Sequence, residues 1–208
     1  MRKLTFATAL CVSLIAGPLV VSMPGQAAIK TDSRASNFIL TDSAGKRVEL
    51  ADFRGKPVVI EWHNPGCPFV QKHYSSGNMQ KTQRMAKSMG VIWLTINSGA
   101  KGKQGDITAA EANRMMIKQE FASDHYLFDR DGHVGKAYGA RTTPHMYIVD
   151  SAGTLVFQGG IDDKPTADPA DIATARNHVL AALGELNLGK PISVSSSRPY
   201  GCSVKYAA

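Results

Sequence analysis

The sequence predicts an α/β fold: a central mixed β-sheet flanked by helices, led by an N-terminal β-hairpin. Three observations carry this expectation. Apolar, β-branched runs at residues 58–60, 91–97 and 146–149 read as strands buried on both faces. Segments with helical periodicity and cap signals alternate with them. No internal repeat and no linker-like stretch divides the chain.

Taken in order, residues 28–36 are polar and read as a flexible lead-in. Residues 38–41 and 47–50 flank the Gly-bearing turn 42–46 and form the hairpin. A loop over 53–57 enters the strand Val58–Trp62. A helix beginning at Cys67 runs to about Tyr74, with Pro68 suited to its first position, and Ser75-Ser76-Gly77 interrupts it. Asn78 is placed to cap a second helical piece. There Met79, Met85 and Met89 recur near helical spacing as core filler, and Gly90 is the stop. The next strand covers 91–97, and 98–106 is a Gly/Lys loop without the spacing of a phosphate cradle. Thr108 with Glu111 makes a capping box for a helix to about Phe121. A short strand at 126–129 and a short helix at 132–138, closed by Gly139, follow. Residues 146–149 and 154–157 form an antiparallel hairpin. Asp168-Pro169 opens the last helix, whose apolar face is Ile172, Val179, Leu183 and Leu186.

The ends have their own character. Arg2 and Lys3 precede an apolar run, and Pro24-Gly25-Gln26-Ala27 offers small residues for a cut after Ala27, the pattern of a secretory leader over 1–27. The expected domain is then 28–188, with a tail at 189–208 carrying Cys202, and the expected compartment is the periplasm. No later stretch is apolar for long enough to span a membrane. Removing the leader takes the net charge from +7 to +5, and the excess is scattered rather than gathered into a nucleic-acid-binding block. Two cysteines remain, too few for a disulfide-built scaffold, so the fold must rest on its hydrophobic core.

Cys67 stands between a buried strand and a Pro-started helix. A thiol there faces unpaired N–H groups and the positive end of the helix dipole, which favour the thiolate. An inert buried cysteine is the plain alternative.

Glu61-Trp62-His63-Asn64-Pro65-Gly66-Cys67-Pro68-Phe69-Val70-Gln71-Lys72-His73-Tyr74 and Arg198-Pro199-Tyr200-Gly201-Cys202-Ser203-Val204-Lys205-Tyr206 resemble the two signatures of an exported peroxiredoxin-like group. That group lies within the thioredoxin-like redoxin superfamily, relatives of alkyl hydroperoxide reductase and thiol-specific antioxidant proteins. The resemblance covers about 36–188 and implies a thioredoxin-like fold and an exported thiol–disulfide oxidoreductase that needs no cofactor or metal. It makes Cys67 the attacking cysteine, with Val70 where a second cysteine of C-x-x-C would stand. Glu61 falls where thioredoxins bury an acid that handles the proton. Arg141-Thr142-Thr143-Pro144-His145 matches the cis-proline loop, with the Thr143 backbone free to pair with an extended substrate. Thr143, Pro144, Trp62 and Pro68 are the implied substrate contacts, although Trp62 reads more as core than as a catalytic residue. The implied partners are a disulfide-bearing protein or a small thiol or oxidised substrate, and an external thiol reductant.

Departures leave alternatives open. Ile60 and Asn64 occupy the Pro and Thr positions of the peroxidase pattern P-x-x-x-T-x-x-C, so peroxide reduction does not follow. Cys202 is the available resolving thiol if the tail folds back over the helix N-terminus. A permanent Cys67–Cys202 disulfide pinning the tail of a non-catalytic binding module is one alternative. Another is delivery of a soft metal such as copper through His63, Cys67, His73 and His145.

Overall fold

A computed structural model describes Met1 and residues 30–207 of the 208-residue chain. Apart from Met1, the expected leader lies outside the described residues. The strands are β1 (Ile39–Asp42), β2 (Arg47–Glu49), β3 (Val58–Trp62), β4 (Ile92–Asn97), β5 (His125–Phe128), β6 (Thr142–Thr143), β7 (His145–Val149), β8 (Leu155–Gly159) and β9 (Cys202–Ser203). The helices are α1 (Pro68–Ser75), α2 (Asn78–Ser88), α3 (Ala109–Lys118), α4 (His133–Tyr138) and α5 (His178–Asn187).

Seven strands form one mixed sheet in the order β2-β1-β5-β4-β3-β7-β8, while β6 and β9 make a separate two-stranded ribbon. β3, β4 and β5 run parallel, and the other pairings are antiparallel. Parallel neighbours need crossovers, which α1 with α2 and then α3 provide. The side chains of β3 alternate between the faces. Val59 joins Cys67, Val70, Tyr74, Met79 and Val179 in the layer beneath α1, α2 and α5. Val58, Ile60 and Trp62 join Leu94, Tyr138 and Tyr147 on the other side. By the same alternation Glu61 points into the α1 layer, wholly buried.

Four local expectations change. The lead-in is pinned to the start of β8: Asp32 N–H donates to Leu155 O at 2.8 Å, Leu155 N–H to Ser33 O at 2.9 Å, and Ala35 is buried. Gly77, at φ 74°, is the N-cap of α2, and the Asn78 amide instead meets His73 Nδ1 at 2.8 Å. Met79 is in the core, whereas Met85 faces solvent. Asp168-Pro169 opens only a short 3-10 turn ending at Thr174. The apolar helix starts afresh at Asn177, whose side chain caps Leu180 N–H, so Ile172 lies outside α5. The expected capping box at Thr108 and Glu111 is present. Among the described residues, no helix is long and apolar enough to cross a membrane.

Candidate active site

The turn before α1 is held from both sides. Asn64 Oδ1 accepts from Gly66 N–H at 2.9 Å, and Gln104 Nε2 donates to Gly66 O at 2.8 Å. A Cβ on Gly66 would meet Gln104 Cγ at 2.8 Å, so any larger residue would push the Gln104 side chain out of this close pass. Cys67 is the N-cap residue of α1, Pro68 follows it at the first helical position, exposed, and Val70 packs in the core. The Cys67 side chain is enclosed, its thiol donating to Thr143 O at 3.0 Å. Thr143-Pro144 is a cis peptide bond.

The Thr143 backbone is not free. β9 lies antiparallel against β6, with Cys202 opposite Thr143 and Ser203 opposite Thr142. The tail thus occupies the edge where an extended substrate was expected, and it does so because it is tied down on both sides of Cys202. Upstream, Gln158 N–H donates to Ser195 O and Ser197 N–H to Gln158 O, each at 3.1 Å. Downstream, Val204 N–H donates to Arg141 O at 3.1 Å, Ala100 N–H to Lys205 O at 2.9 Å, and Tyr206 Oη to Ala140 O at 2.7 Å. Gly201, at φ 128°, permits the final approach, since a Cβ there would stand 2.0 Å from Thr143 O. The result is a strap across the N-terminus of α1.

The strap sets Cys202 opposite Thr143, whose carbonyl oxygen receives the Cys67 thiol, so the two cysteines are neighbours, and both are free thiols. Their acidities are pushed apart. Burial acts to raise the Cys67 pKa, but hydrogen bonds from Cys202, from Thr143 and from the Cys202 and Val70 backbones outweigh it and hold the thiol below its usual value. Burial and the Cys67 sulfur push Cys202 up to about 11. When the pair gives up a single proton, it therefore leaves from Cys67 and Cys202 keeps its own.

Glu61 touches neither sulfur. Its carboxylate accepts from Tyr74 Oη at 2.9 and 3.0 Å, Trp93 Nε1 at 2.9 Å, Thr95 Oγ1 at 3.4 Å and Gln83 Nε2 at 3.5 Å. Complete burial raises its pKa to about 7 despite these donors. The neighbouring residues of the same signature serve the strap. Lys72 Nζ, buried, donates to Lys164 O at 2.9 Å and lies 3.9 Å from Asp162 Oδ2. His73 Nε2 meets Tyr200 Oη at 3.1 Å, and Tyr200 Oη donates to Asp162 Oδ1. Lys72, His73 and Tyr74, consecutive in α1, thus wire the helix to the strap and to Glu61. In the sequence the two signatures meet only on the condition that the tail folds back, and nothing there points to Asp162, which joins them. A cavity of about 620 Å³ opens beside the strap, lined by Phe69, Thr142, Asp162, His178, Tyr200 and Gly201 among others.

Trp62 is not near this site. It lies in the opposite core layer, tilted against Tyr138 and edge-to-face with Tyr147, ring centroids 5.5 and 5.1 Å away, its Nε1 donating to Ser98 Oγ at 3.0 Å. Nor do the histidines gather around Cys67. His63 Nδ1 meets Tyr126 Oη at 3.0 Å, His73 is taken by Tyr200 and Asn78, and His145 Nδ1 meets Tyr147 Oη at 3.1 Å. Among the described residues, no three His, Cys, Asp or Glu side chains are placed to hold a metal ion.

The Redoxin family model matches residues 30–176, more than half of the chain. The chain belongs to the Redoxin family. A curated relative, the thiol-disulfide oxidoreductase ResA of Bacillus thuringiensis subsp. konkukian, is 27% identical over 122 residues, 59% of this chain and 65% of that protein. The chain thus spans just under two thirds of that relative's length. Among solved structures, a hypothetical protein of Sinorhizobium meliloti 1021 is 25% identical with a TM-score of 0.72, covering 88% of this chain and 97% of that one. The thioredoxin domain of a thiol-disulfide oxidoreductase from Bacteroides vulgatus is 19% identical with a TM-score of 0.51, covering 71% and 97%. It shares the fold with this Redoxin protein, which is thioredoxin-like.

Proposed function

We propose that this chain is an exported thiol–disulfide oxidoreductase whose redox couple is Cys67 with Cys202. The observation that carries the reading is the seating of Cys202 on β6, opposite Thr143, with its sulfur beside a Cys67 of lowered pKa. The couple cycles between dithiol and disulfide, passing two electrons to or from a disulfide-bearing protein or a small thiol. Cys67 supplies the thiolate, supported by the α1 N-terminus and by the Cys202 thiol. Thr143 and Pro144 seat the partner cysteine rather than the substrate. Pro68, exposed at the first position of α1, remains a contact for an incoming molecule. Glu61 acts at one remove: bonded to Tyr74 on the Cys67 helix, it is neutral below about pH 7 and adds negative charge beneath that helix above it. The leader-like first 27 residues support export to the periplasm, where an external thiol reductant would complete the cycle.

Reduction of insulin disulfides by the full mature chain tests this reading. The wild type is expected to be active and Cys67→Ser inactive; full activity in Cys67→Ser removes Cys67 from the reaction.

A further inference from the structure

We infer that partner sulfur exchanges at Cys202, and that Cys67 is the internal sulfur that leaves and resolves. This reverses the order suggested by the position of Cys67 at a helix N-terminus, and it rests on the redox couple proposed above.

Access decides the matter. Cys67 has no exposed surface: the core closes it from below, and Thr143 together with β9 closes it from above. Cys202 is only partly buried, and its neighbour Gly201 lines the cavity beside the strap. Presenting Cys67 to a partner would require releasing β9, which is anchored upstream by Ser197 and Tyr200 and downstream by Val204 and Tyr206. Presenting Cys202 requires no such movement.

In the disulfide form, an incoming thiolate attacks Cys202 Sγ. The new sulfur–sulfur bond joins the partner to Cys202, the Cys67–Cys202 bond breaks, and its electron pair leaves on Cys67 as thiolate. A second thiolate of the partner then attacks the partner's own linked sulfur and expels Cys202, which takes up a proton. Two partner thiols become a disulfide and the protein disulfide becomes a dithiol. Run backwards, Cys202 first passes its proton to the Cys67 thiolate and opens the partner disulfide as the thiolate. Once that proton is given to the departing partner thiolate, Cys67 attacks Cys202 Sγ and expels the partner's second sulfur. The acidities suit the oxidising direction, since the sulfur of lower pKa is the better leaving group.

The test follows adduct formation between glutathione disulfide and the reduced, full mature Cys67→Ser and Cys202→Ser proteins, by intact mass. Cys67→Ser is expected to be modified faster by roughly tenfold or more, because its remaining thiol needs no opening of the strap. An equal or faster rate in Cys202→Ser overturns the inference. A second measurement avoids both substitutions: oxidised wild type is mixed with reduced glutathione, quenched in acid, and the mixed disulfide is mapped. Glutathione on Cys202 supports the assignment, and glutathione on Cys67 overturns it while leaving the redox couple intact. If no Cys67–Cys202 bond forms in oxidised wild type, the couple itself fails, and this inference with it.

Discussion

The two cysteines meet from opposite kinds of structure. Cys67 is held by the core: an apolar central strand, a glycine turn braced by Gln104, and a helix whose inner face is packed. Cys202 is held by a strap with little apolar content of its own, fixed by backbone hydrogen bonds, two tyrosine hydroxyls and a glycine at φ 128°. The first environment is cooperative with global folding; the second can open locally with the core intact. The proposed couple would thus join one member fixed in the core to one held by the strap.

The sharpest way to break this contrast is Gly201→Val. The added side chain meets Thr143 O and a backbone conformation that β-branched residues avoid, so the strap should lift while the core stays folded. Alkylation of Cys67 by iodoacetamide should accelerate tenfold for each ~1.4 kcal/mol of closure lost, with far-ultraviolet circular dichroism nearly unchanged. An unchanged alkylation rate would mean that the strap does not cover Cys67.

Glu61→Gln probes the fixed side. The Glu61 carboxyl keeps its proton up to about pH 7 in the fold because it is buried, against an ordinary value of 4.5. Its contribution to stability is therefore full below 4.5 and lost as pH rises through 7. The stability difference between wild type and variant in urea unfolding should shift by about 3 kcal/mol between pH 4.5 and 8, with the wild type losing ground as pH rises. Burial presses His63 and His145 down to about 3 and His73 to about 4, so these work the other way, their stability being lost as pH falls below about 6.5. They are common to both proteins and cancel in the difference. A difference that does not vary with pH would contradict the raised pKa.

Tyr200→Phe removes one anchor hydroxyl between His73 and Asp162. It should cost about 1–3 kcal/mol, the effect of leaving buried polar groups unpartnered, with a smaller rise in Cys67 alkylation than Gly201→Val gives. A rise as large as that of the glycine variant would make Tyr200 the main latch.

Much of this was legible in the sequence because local chemistry decided it. The runs at β3, β4 and β7 are buried on both faces, and Thr108 with Glu111, or Pro68 after Cys67, act within one turn. The rest depends on contacts distant in sequence. Thr143 looks like an open edge until Cys202 is laid against it, and Trp62 looks like a site residue until strand alternation turns it to the far face. His73 looks like a candidate metal ligand until Asn78 and Tyr200 take its two ring nitrogens. Asp168-Pro169 carries sound cap chemistry, yet the chain breaks before Asn177 and caps again there.

Free-thiol counting by mass spectrometry across a redox-buffer titration decides whether Cys67 and Cys202 form a reversible couple. A reversible couple gives no free thiol in the oxidised protein and two after reduction at a mild potential, with the fold retained throughout. Two free thiols in the oxidised protein, or a bond that resists reduction until the protein unfolds, would contradict it.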